Sequence, residues 1–352
     1  MTILVTGAAG FIGSNFVLDW LDQSEEDVIS LDLLTYAGNL ENLSSLNNNP
    51  HHHFVKGNIG DRDLVSSLLK KYQIRAILNF AAESHVDRSI RESKDFIETN
   101  IVGTYNFLES ARIYWNDLDK NLKQDFRFLH ISSDEVYGSL NSSDHPSNEK
   151  DPYKPNSPYS ASKAASDHLV RAWFQTYKLP VLTVNSANNY GPYQFPEKLI
   201  PICILNALRD KPLPIYGDGR QIRDWLYVKD HCAAIREILK QGQIGETYNV
   251  GGRNEKTNLE VVESLCSILD ALKPKSNSKS YANQITFVKD RPGHDNRYAI
   301  DASKLERELN WKPEETFETG LRKTVLWYLE NKAWMNHVVS GEYQHWIQKQ
   351  YS

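Results

Sequence analysis

A chain of 352 residues, 40% hydrophobic and 24% charged, has ordinary globular composition and is long enough for one large and one smaller domain. Its formal net charge of -5 leaves no basic excess with which to hold a phosphate backbone, which excludes a nucleic-acid binder. No apolar run is long enough to span a bilayer and Met1 leads straight into Ile3, Leu4 and Val5 without a basic leader, so neither a membrane span nor a signal peptide is expected.

Thr2 to Thr6 forms a short β-branched strand, Gly7, Ala8, Ala9, Gly10, Phe11, Ile12 and Gly13 follow, and an amphipathic run continues to Leu21. In that order the glycines permit a tight turn and let backbone amides approach a pyrophosphate, whose charge is favoured by the positive end of the helix. Gly7, Gly10, Phe11, Ile12 and Gly13 are therefore candidate cofactor contacts. The next apolar run, Val28, Ile29 and Leu31, ends in Asp32. A carboxylate about 20 residues beyond such glycines accepts ribose hydroxyls and repels a 2′-phosphate, which favours NAD over NADP. Asn47 to His53 reads as a polar loop. Its consecutive histidines cannot converge on one metal, because neighbours along an extended chain point to opposite faces, and no metal site is expected.

After Gly57, Asn58 and Ile59, a helix with Leu64, Val65, Leu68 and Leu69 on one face leads to the strand Ala76 to Phe80. Ala81 and Ala82 beyond it are small enough to let a nicotinamide ribose lie against the backbone. His85 is open to two readings, a base or a histidine satisfied by its neighbours. A long helical pattern spans Asp95 to Trp115. The apolar run Phe128, Leu129, Ile131 then breaks into Ser132, Ser133, Asp134, Glu135, Val136, Tyr137 and Gly138. This places hydroxyls and carboxylates at the carboxyl end of a buried strand, where open α/β sheets bind ligands. Tyr159 and Lys163 are four apart, on one helix face. The ammonium is expected to lower the phenol from its ordinary pKa of about 10, so that Tyr159 can take a proton from an alcohol while a hydride leaves the same carbon. With Val181 to Val184, at least six strand candidates alternate with helices, which predicts an α/β fold with a doubly wound parallel (Rossmann) sheet.

From Asn188, Asn189, Tyr190, Gly191 and Pro192 the chain is punctuated by proline and glycine, and Glu197, Lys198, Leu199, Ile200 and Pro201 precede a helix. A second, smaller α/β domain is expected to begin here. Thr247 to Val250 reads as a strand returning to the first sheet. The domains are thus expected to interleave: residues 1–190 plus roughly 225–255 around the dinucleotide site, roughly 191–224 plus 256–352 in the second. Lys273 to Asn283 reads as a flexible loop, and Trp327, Tyr328, Trp334 and Trp346 as a packing tail. Cys203, Cys232 and Cys266 are odd in number and set in apolar surroundings, which predicts buried free thiols in a cytoplasmic protein.

Together the glycine motif and the Tyr159, Lys163 pair resemble the extended short-chain dehydrogenases/reductases. Ser133 to Gly138 resembles the signature of their nucleotide-sugar 4,6-dehydratase branch, in which an adjacent Asp and Glu are present that related epimerases and decarboxylases lack. Ala81 to Ile90, Asn188 to Pro201, Arg223 to Asp230 and Arg291 to Asp301 are similar to the branch acting on dTDP-glucose. The resemblance implies tightly bound NAD regenerated each turnover, a nucleotide-sugar substrate and a homodimer. It implies C4 oxidation with Tyr159 as base, supported by Ser133 and Lys163, then loss of water across C5 and C6 with Glu135 as base and Asp134 as acid, and hydride return to C6. Asp134 must then be protonated at neutral pH although an aspartate ordinarily titrates near 3.9; a second carboxylate beside it, with burial, supplies the cause. Asn58, Ile59, Ala81 and Ala82 are carried over as cofactor contacts, and Ser84, Asn188, Lys198, Leu199, Pro214, Tyr216, Arg223, Asn258 and Arg297 as substrate contacts. Ser133 stands where the family usually has threonine and Asn58 where it has aspartate. Arg223 can clamp a phosphate bidentately, or be a structural partner of Asp224 or Asp230. The dimer is expected through Asp95 to Trp115 and Ala161 to Tyr177, where Ala161, Ala164, Ala165 and Ala172 form a small-residue face. A UDP-, CDP- or GDP-linked hexose is the alternative substrate. A non-catalytic dinucleotide-binding regulator is the alternative class, although none of Asp134, Glu135, Tyr159 and Lys163 is eroded.

Overall fold

The computed structural model describes residues 1–339; Trp346 of the expected tail lies outside the described residues. Short aliphatic runs become β1 (Thr2–Thr6), β2 (Asp27–Asp32), β3 (His52–Lys56), β4 (Ile74–Asn79), β5 (Arg127–Ser133) and β6 (Val181–Ser186). The chain then makes β7 (Asn188–Tyr190), β8 (Leu213–Tyr216) and β9 (Ile222–Tyr227) elsewhere, before β10 (Thr247–Val250) comes back to pair with β6. The resulting seven-stranded sheet runs β10-β6-β5-β4-β1-β2-β3 and is parallel throughout. Such a sheet needs cover on both faces, and alternate residues supply it. Ile3 and Val5 belong to one core cluster while Leu4 lies in another. After β3 the chain crosses through helix Arg62–Lys71 to β4 on the far side of β1, so the strand order reverses between β1 and β4. A crevice at their carboxyl ends is the consequence.

Three expectations are corrected. The polar stretch does not stay a loop as far as His53: His52 and His53 open β3, the edge strand, where His52 Nε2 lies 2.9 Å from Ser30 Oγ. Parallel pairing with β2 claims their backbone and outweighs their polarity. The helical run around Asp95 to Trp115 is interrupted by a π-helical segment, Ile97–Gly103. There Asn100 bonds both backbone groups of Glu83, at 2.9 Å each, and Ser162 at 2.8 Å. The stretch from Lys273 is tied down. The Asp270 carboxylate accepts Ser280 Oγ at 2.5 Å and Tyr281 N at 2.9 Å, and Tyr281 OH donates to the Lys273 carbonyl at 2.9 Å.

The second region holds a three-stranded sheet, in which β9 lies between β7 and β11 (Glu255–Thr257), and a two-stranded one formed by β8 and β12 (Ile285–Val288). Its core gathers Tyr190, Ile200, Leu213, Trp225, Leu265 and Tyr328. Leu226 and Val228 pass back into the first core, as do Ile300, Leu305, Leu309 and Trp311, because helix Ser303–Leu309 packs on β10. The stretch beyond residue 256 therefore feeds both cores. Cys203, Cys232 and Cys266 are buried and free. Among the described residues no helix is long and apolar enough to cross a membrane.

Candidate active site

At the carboxyl ends of the central strands lies a cavity of about 310 Å³. Its floor is the turn from β1 into helix Phe11–Gln23. Gly7 sits at φ +62°, and a Cβ there would lie 2.8 Å from Ala81 N; one on Gly13 would lie 2.2 Å from the Gly7 carbonyl oxygen. Strand, turn and helix close on one another only with glycine at both positions. The helix begins at Gly10 without a side-chain cap, and Gly10, Phe11, Ile12 and Gly13 line the cavity. Its first amides are thus left for an anion. Asp32 lines the same cavity and accepts Ala9 N at 2.9 Å and Leu34 N at 2.7 Å. Asn58 accepts Gly60 N at 2.8 Å, so its oxygen is already turned into its own loop. Ile59, Ala81 and Ala82 complete this end. A bare glycine floor, an uncapped helix start and a carboxylate at the exit of β2 fit NAD.

At the other end, Ser157 and Ser160 form a capping box, and Pro158 occupies the first turn of helix Pro158–Tyr177. This start sets Tyr159 and Lys163 on the face toward β5. Lys163 Nζ donates to the Ile131 carbonyl at 2.7 Å. Ser133 Oγ hydrogen-bonds the Tyr159 phenol, donates to Asp134 at 3.3 Å and accepts Glu135 N at 3.2 Å. The phenol, however, is not lowered. Burial, then the Glu135 carboxylate, hold Tyr159 well above its ordinary value. Burial also pushes Lys163 down to about 8, opposed only by Asp167 one turn further along the helix. Desolvation outweighs the expected effect of the lysine, and Asp167 adds to the two acids beside Ser133, Glu135 and Asp134, in raising the phenol.

The two acids beside Ser133 are the centre of the site. Asp134 is 3% exposed, and its Oδ2 has no hydrogen-bond partner among the described residues. Burial, Glu135 and Asp224 push it well above the usual carboxylate range, with only Arg223 and Ser133 pulling the other way. Glu135 is also raised by burial, but Arg291, Arg223 and Lys198 all oppose the rise. One carboxyl of the pair therefore sees mainly negative neighbours and the other mainly positive ones. Such a field separates an acid from a base. The first turn after β5 is capped by Ser133, which leaves neither acid the role of a cap.

The substrate contacts expected from the second half divide. Ser84, Asn188 and Lys198 line the cavity, and Lys198 Nζ donates to the Ser84 carbonyl at 3.0 Å. Arg223 is buried beneath it, donating to the carbonyls of Ile222 at 2.7 Å and Asp295 at 2.9 Å with its guanidinium 4.3 Å from the Tyr298 ring centre. It pairs with neither Asp224, which accepts Gly252 N and Asn254 N, nor Asp230, which accepts Glu315 N. Pro214 and Tyr216 lie on β8, where the Tyr216 hydroxyl and Arg291 both reach Asp87, at 3.5 and 3.3 Å. None of Arg223, Pro214, Tyr216, Leu199, Asn258 and Arg297 is among the residues that line the cavity. Leu199 and Asn258 are the first residues of helices Leu199–Leu208 and Asn258–Leu272, and Arg297 grips Glu255 at 2.7 and 2.9 Å and the carbonyls of Asn141 and Asp144.

The family model described as GDP-mannose 4,6 dehydratase matches residues 4–324. The chain is 58% identical to the dTDP-glucose 4,6-dehydratase of Xanthomonas campestris pv. campestris over 97% of each chain. The chain belongs to the dTDP-glucose 4,6-dehydratase family. It is 56% identical to the Salmonella typhimurium enzyme of that name, over all of this chain and 99% of the other. The dTDP-glucose 4,6-dehydratase of Bacillus anthracis, solved in complex with NAD, matches with a TM-score of 0.85 and 45% identity, over 96% of this chain and 99% of its own. That of Streptomyces venezuelae, also solved with NAD bound, gives 0.86 and 44%, over 96% and 100%.

Thr99 and Glu197 are among the residues of this dehydratase cavity that escaped sequence reasoning as site candidates. Thr99 enters it from the π-helical segment; the only signal was a polar Thr99, Asn100 pair inside a helical pattern. Glu197 lines it beside Lys198, accepts Tyr36 OH at 3.1 Å and is pushed by burial up to about 7. Nothing in the sequence set it apart from a surface acid. His85 is satisfied by neighbours, accepting Arg88 N through Nδ1 at 3.3 Å and lying 3.8 Å from Glu197. Burial holds it well below its ordinary value, so it stays neutral.

Proposed function

We propose that this protein converts dTDP-glucose to dTDP-4-keto-6-deoxyglucose, using NAD that stays bound and is regenerated in each cycle, as a step of deoxysugar biosynthesis. The observation that supports it most is the buried Asp134, Glu135 pair, electrostatically divided and adjoining Tyr159 in a cavity with a dinucleotide floor. The names and bound NAD of the relatives point the same way. When bound, NAD supplies a hydride acceptor for C4, a hydride donor for C6 and a cationic ring that favours the phenolate of Tyr159. Tyr159 takes the C4 hydroxyl proton, with Ser133 hydrogen-bonded at that oxygen. The C4 ketone acidifies the C5 proton through enolate delocalisation, and Glu135 removes it and, once C6 is reduced, returns a solvent-exchanged proton to C5. Asp134, protonated beforehand, gives its proton to the departing C6 hydroxyl, which leaves as water. Lys198, Arg223 and Arg291 supply the positive field that suits a nucleotide diphosphate and keeps Glu135 ionisable.

Incubating the purified protein with dTDP-glucose in deuterated buffer, without added cofactor, tests this directly. Loss of one water with solvent deuterium at C5, read by mass spectrometry and NMR, is the expected result. Conversion of a UDP-, CDP- or GDP-linked hexose in place of dTDP-glucose would move the base specificity. Turnover of none would overturn the enzymatic reading.

We infer also a cytoplasmic homodimer. Ile97, Val102, Tyr105, Ile113 and Tyr177 are 39–44% exposed along the two helical stretches singled out in the sequence. Such apolar surface suits a partner helix pair. Ala161 and Ala172 are exposed there and Ala165 half-buried, whereas Ala164 turns inward to the first core and does not contribute. A monomer by sedimentation at micromolar concentration would refute the dimer.

A further inference from the structure

The last helix of the described residues, Lys332–Val338, belongs to the second core, yet one of its side chains reaches the dinucleotide floor by a short chain of hydrogen bonds. Trp334 Nε1 donates to Asn42 Oδ1 at 2.8 Å, in the 3-10 helix Leu40–Leu46 beyond β2. Asn42 Nδ2 donates to the Ala9 carbonyl at 2.9 Å, and the Asn39 N–H donates to the same oxygen at 3.0 Å. On its other side Ala9 donates its own N–H to Asp32. The middle of the glycine turn is thus held at one peptide group by the last residue of β2 and at the other by the segment after it. That segment is held in turn by Trp334. All three members are buried, at 7, 2 and 0% exposure for Trp334, Asn42 and Ala9.

We propose that Trp334 is a positioning residue for the cofactor: by fixing the Asn42 amide on the Ala9 carbonyl it latches the pyrophosphate-binding turn and slows the release of NAD. The inference rests on the NAD-dependent reading above. An indole N–H can only donate, so it draws the amide oxygen of Asn42 toward itself and leaves the amide nitrogen facing Ala9. Without that donor the Asn42 oxygen is buried and unpaired, and relief comes by rotating the amide away from the turn. The same aromatic group also touches the cavity wall. Trp334 lies 5.1 Å from Trp327 and 6.0 Å from Tyr193 between ring centres, and Tyr328 OH donates at 2.6 Å to the carbonyl of Gln194, which lines the cavity. Helix Lys332–Val338 thus grips the floor of the site through Trp334, and helix Phe317–Glu330, whose Trp327 and Tyr328 pack against Trp334, grips one wall. Retention of a dinucleotide through a multi-step cycle is what such a grip provides.

The test uses holoenzyme carrying Trp334→Phe, which keeps an aromatic ring and removes the N–H with the rest of the pyrrole, with Asn42→Ala, the double variant, and Trp327→Phe as a control for the same loss of ring volume. Release of bound NAD into an enzymatic trap is measured alongside dTDP affinity and thermal midpoint. Trp334→Phe is expected to release NAD about tenfold faster, the value of one buried hydrogen bond left open, with dTDP affinity unchanged. The double variant is expected to be no faster than Asn42→Ala alone, because the two residues act in series. Unaltered NAD release in Trp334→Phe, additive effects in the double variant, or equal acceleration by Trp327→Phe would each overturn the latch. Wild-type protein that neither carries nor retains NAD would instead overturn the cofactor reading itself.

Discussion

Asp134 at the exit of β5 and Asp224 within β9 are the same residue type at nearly the same depth, 3% and 2% exposed, and burial raises both. Their surroundings differ. Asp224 accepts Gly252 N at 2.9 Å on one oxygen and Asn254 N at 2.7 Å on the other, so its cost of burial is offset by fixed donors. Asp134 has a single 3.3 Å bond from Ser133 and an oxygen with no partner among the described residues. A carboxyl left unsatisfied beside a cavity is stability given up for chemistry. One made whole by backbone amides is scaffold.

The sharpest way to break this comparison is the same isosteric substitution at both positions. Asp134→Asn is expected to lower turnover by about two to four orders of magnitude, the range of a lost general acid, with C4 oxidation slowed far less than elimination in single-turnover measurements. Equal losses in the two steps would count against Asp134 as the acid. Its stability should rise. A carboxyl whose folded pKa lies above the ordinary 3.8 stabilises fully below that value and loses its contribution as pH climbs toward the raised one. The variant's advantage in chemical denaturation is therefore small near pH 4 and grows toward neutrality. Asp224→Asn should do the reverse. It sets an amide N–H₂ against a backbone donor, costing about 1–3 kcal/mol of unfolding free energy in chemical denaturation. A stability cost at Asp134 as large as that at Asp224 would erase the distinction.

The contrast also marks how far the sequence could be read. The glycine turn, Asp32, Asp134, Glu135, Tyr159 and Lys163 each follow directly from a strand end or from one helical turn, so local geometry alone places them. The Tyr159 shift is opposite in sign to the one its spacing from Lys163 suggests, because desolvation is a property of the folded surroundings, not of the four-residue spacing. Arg297 and Asn258 lay in matching segments but outside the cavity, since their positions depend on how two interleaved cores close on each other. Glu197 and the Trp334, Asn42 contact span 161 and 292 residues of chain, beyond any local pattern.

Asp167 lies between the two cases and offers a smaller effect. It accepts Ser132 Oγ at 2.8 Å, lies 3.4 Å from His130 Nε2, hydrogen-bonds Tyr153, acts on Tyr137 and Tyr159, and is the one group that raises Lys163. His130, pushed down to about 4 by burial, stays neutral and leaves Asp167 to face the ammonium. Asp167→Asn should let Lys163 fall further below about 8, so the ammonium is lost at lower pH. The alkaline limb of C4 oxidation is then expected to move down by about one unit, or tenfold in rate on that limb. An unmoved limb would assign Asp167 to structure, as for Asp224.

The smallest effect is expected from Ser133→Thr, at a hydroxyl that serves Tyr159, Asp134 and the Glu135 amide at once. A serine side chain can turn among staggered wells, whereas threonine is stiff about the same bond. Ser133→Thr keeps the oxygen and adds one methyl at a position 9% exposed. If the loose 3.3 Å bond to Asp134 reflects a hydroxyl shared among partners, locking its rotamer should speed C4 oxidation about twofold, roughly 0.4 kcal/mol. Ser133→Ala should slow it by about tenfold, since Tyr159 would lose its only side-chain hydrogen bond among the causes that favour the phenolate. A slower Ser133→Thr enzyme would mean that the methyl is not accommodated and that the serine is matched to this pocket. An unchanged rate in both variants would remove Ser133 from the reacting groups, and the unsatisfied end of β5 would then consist of the two carboxyls alone.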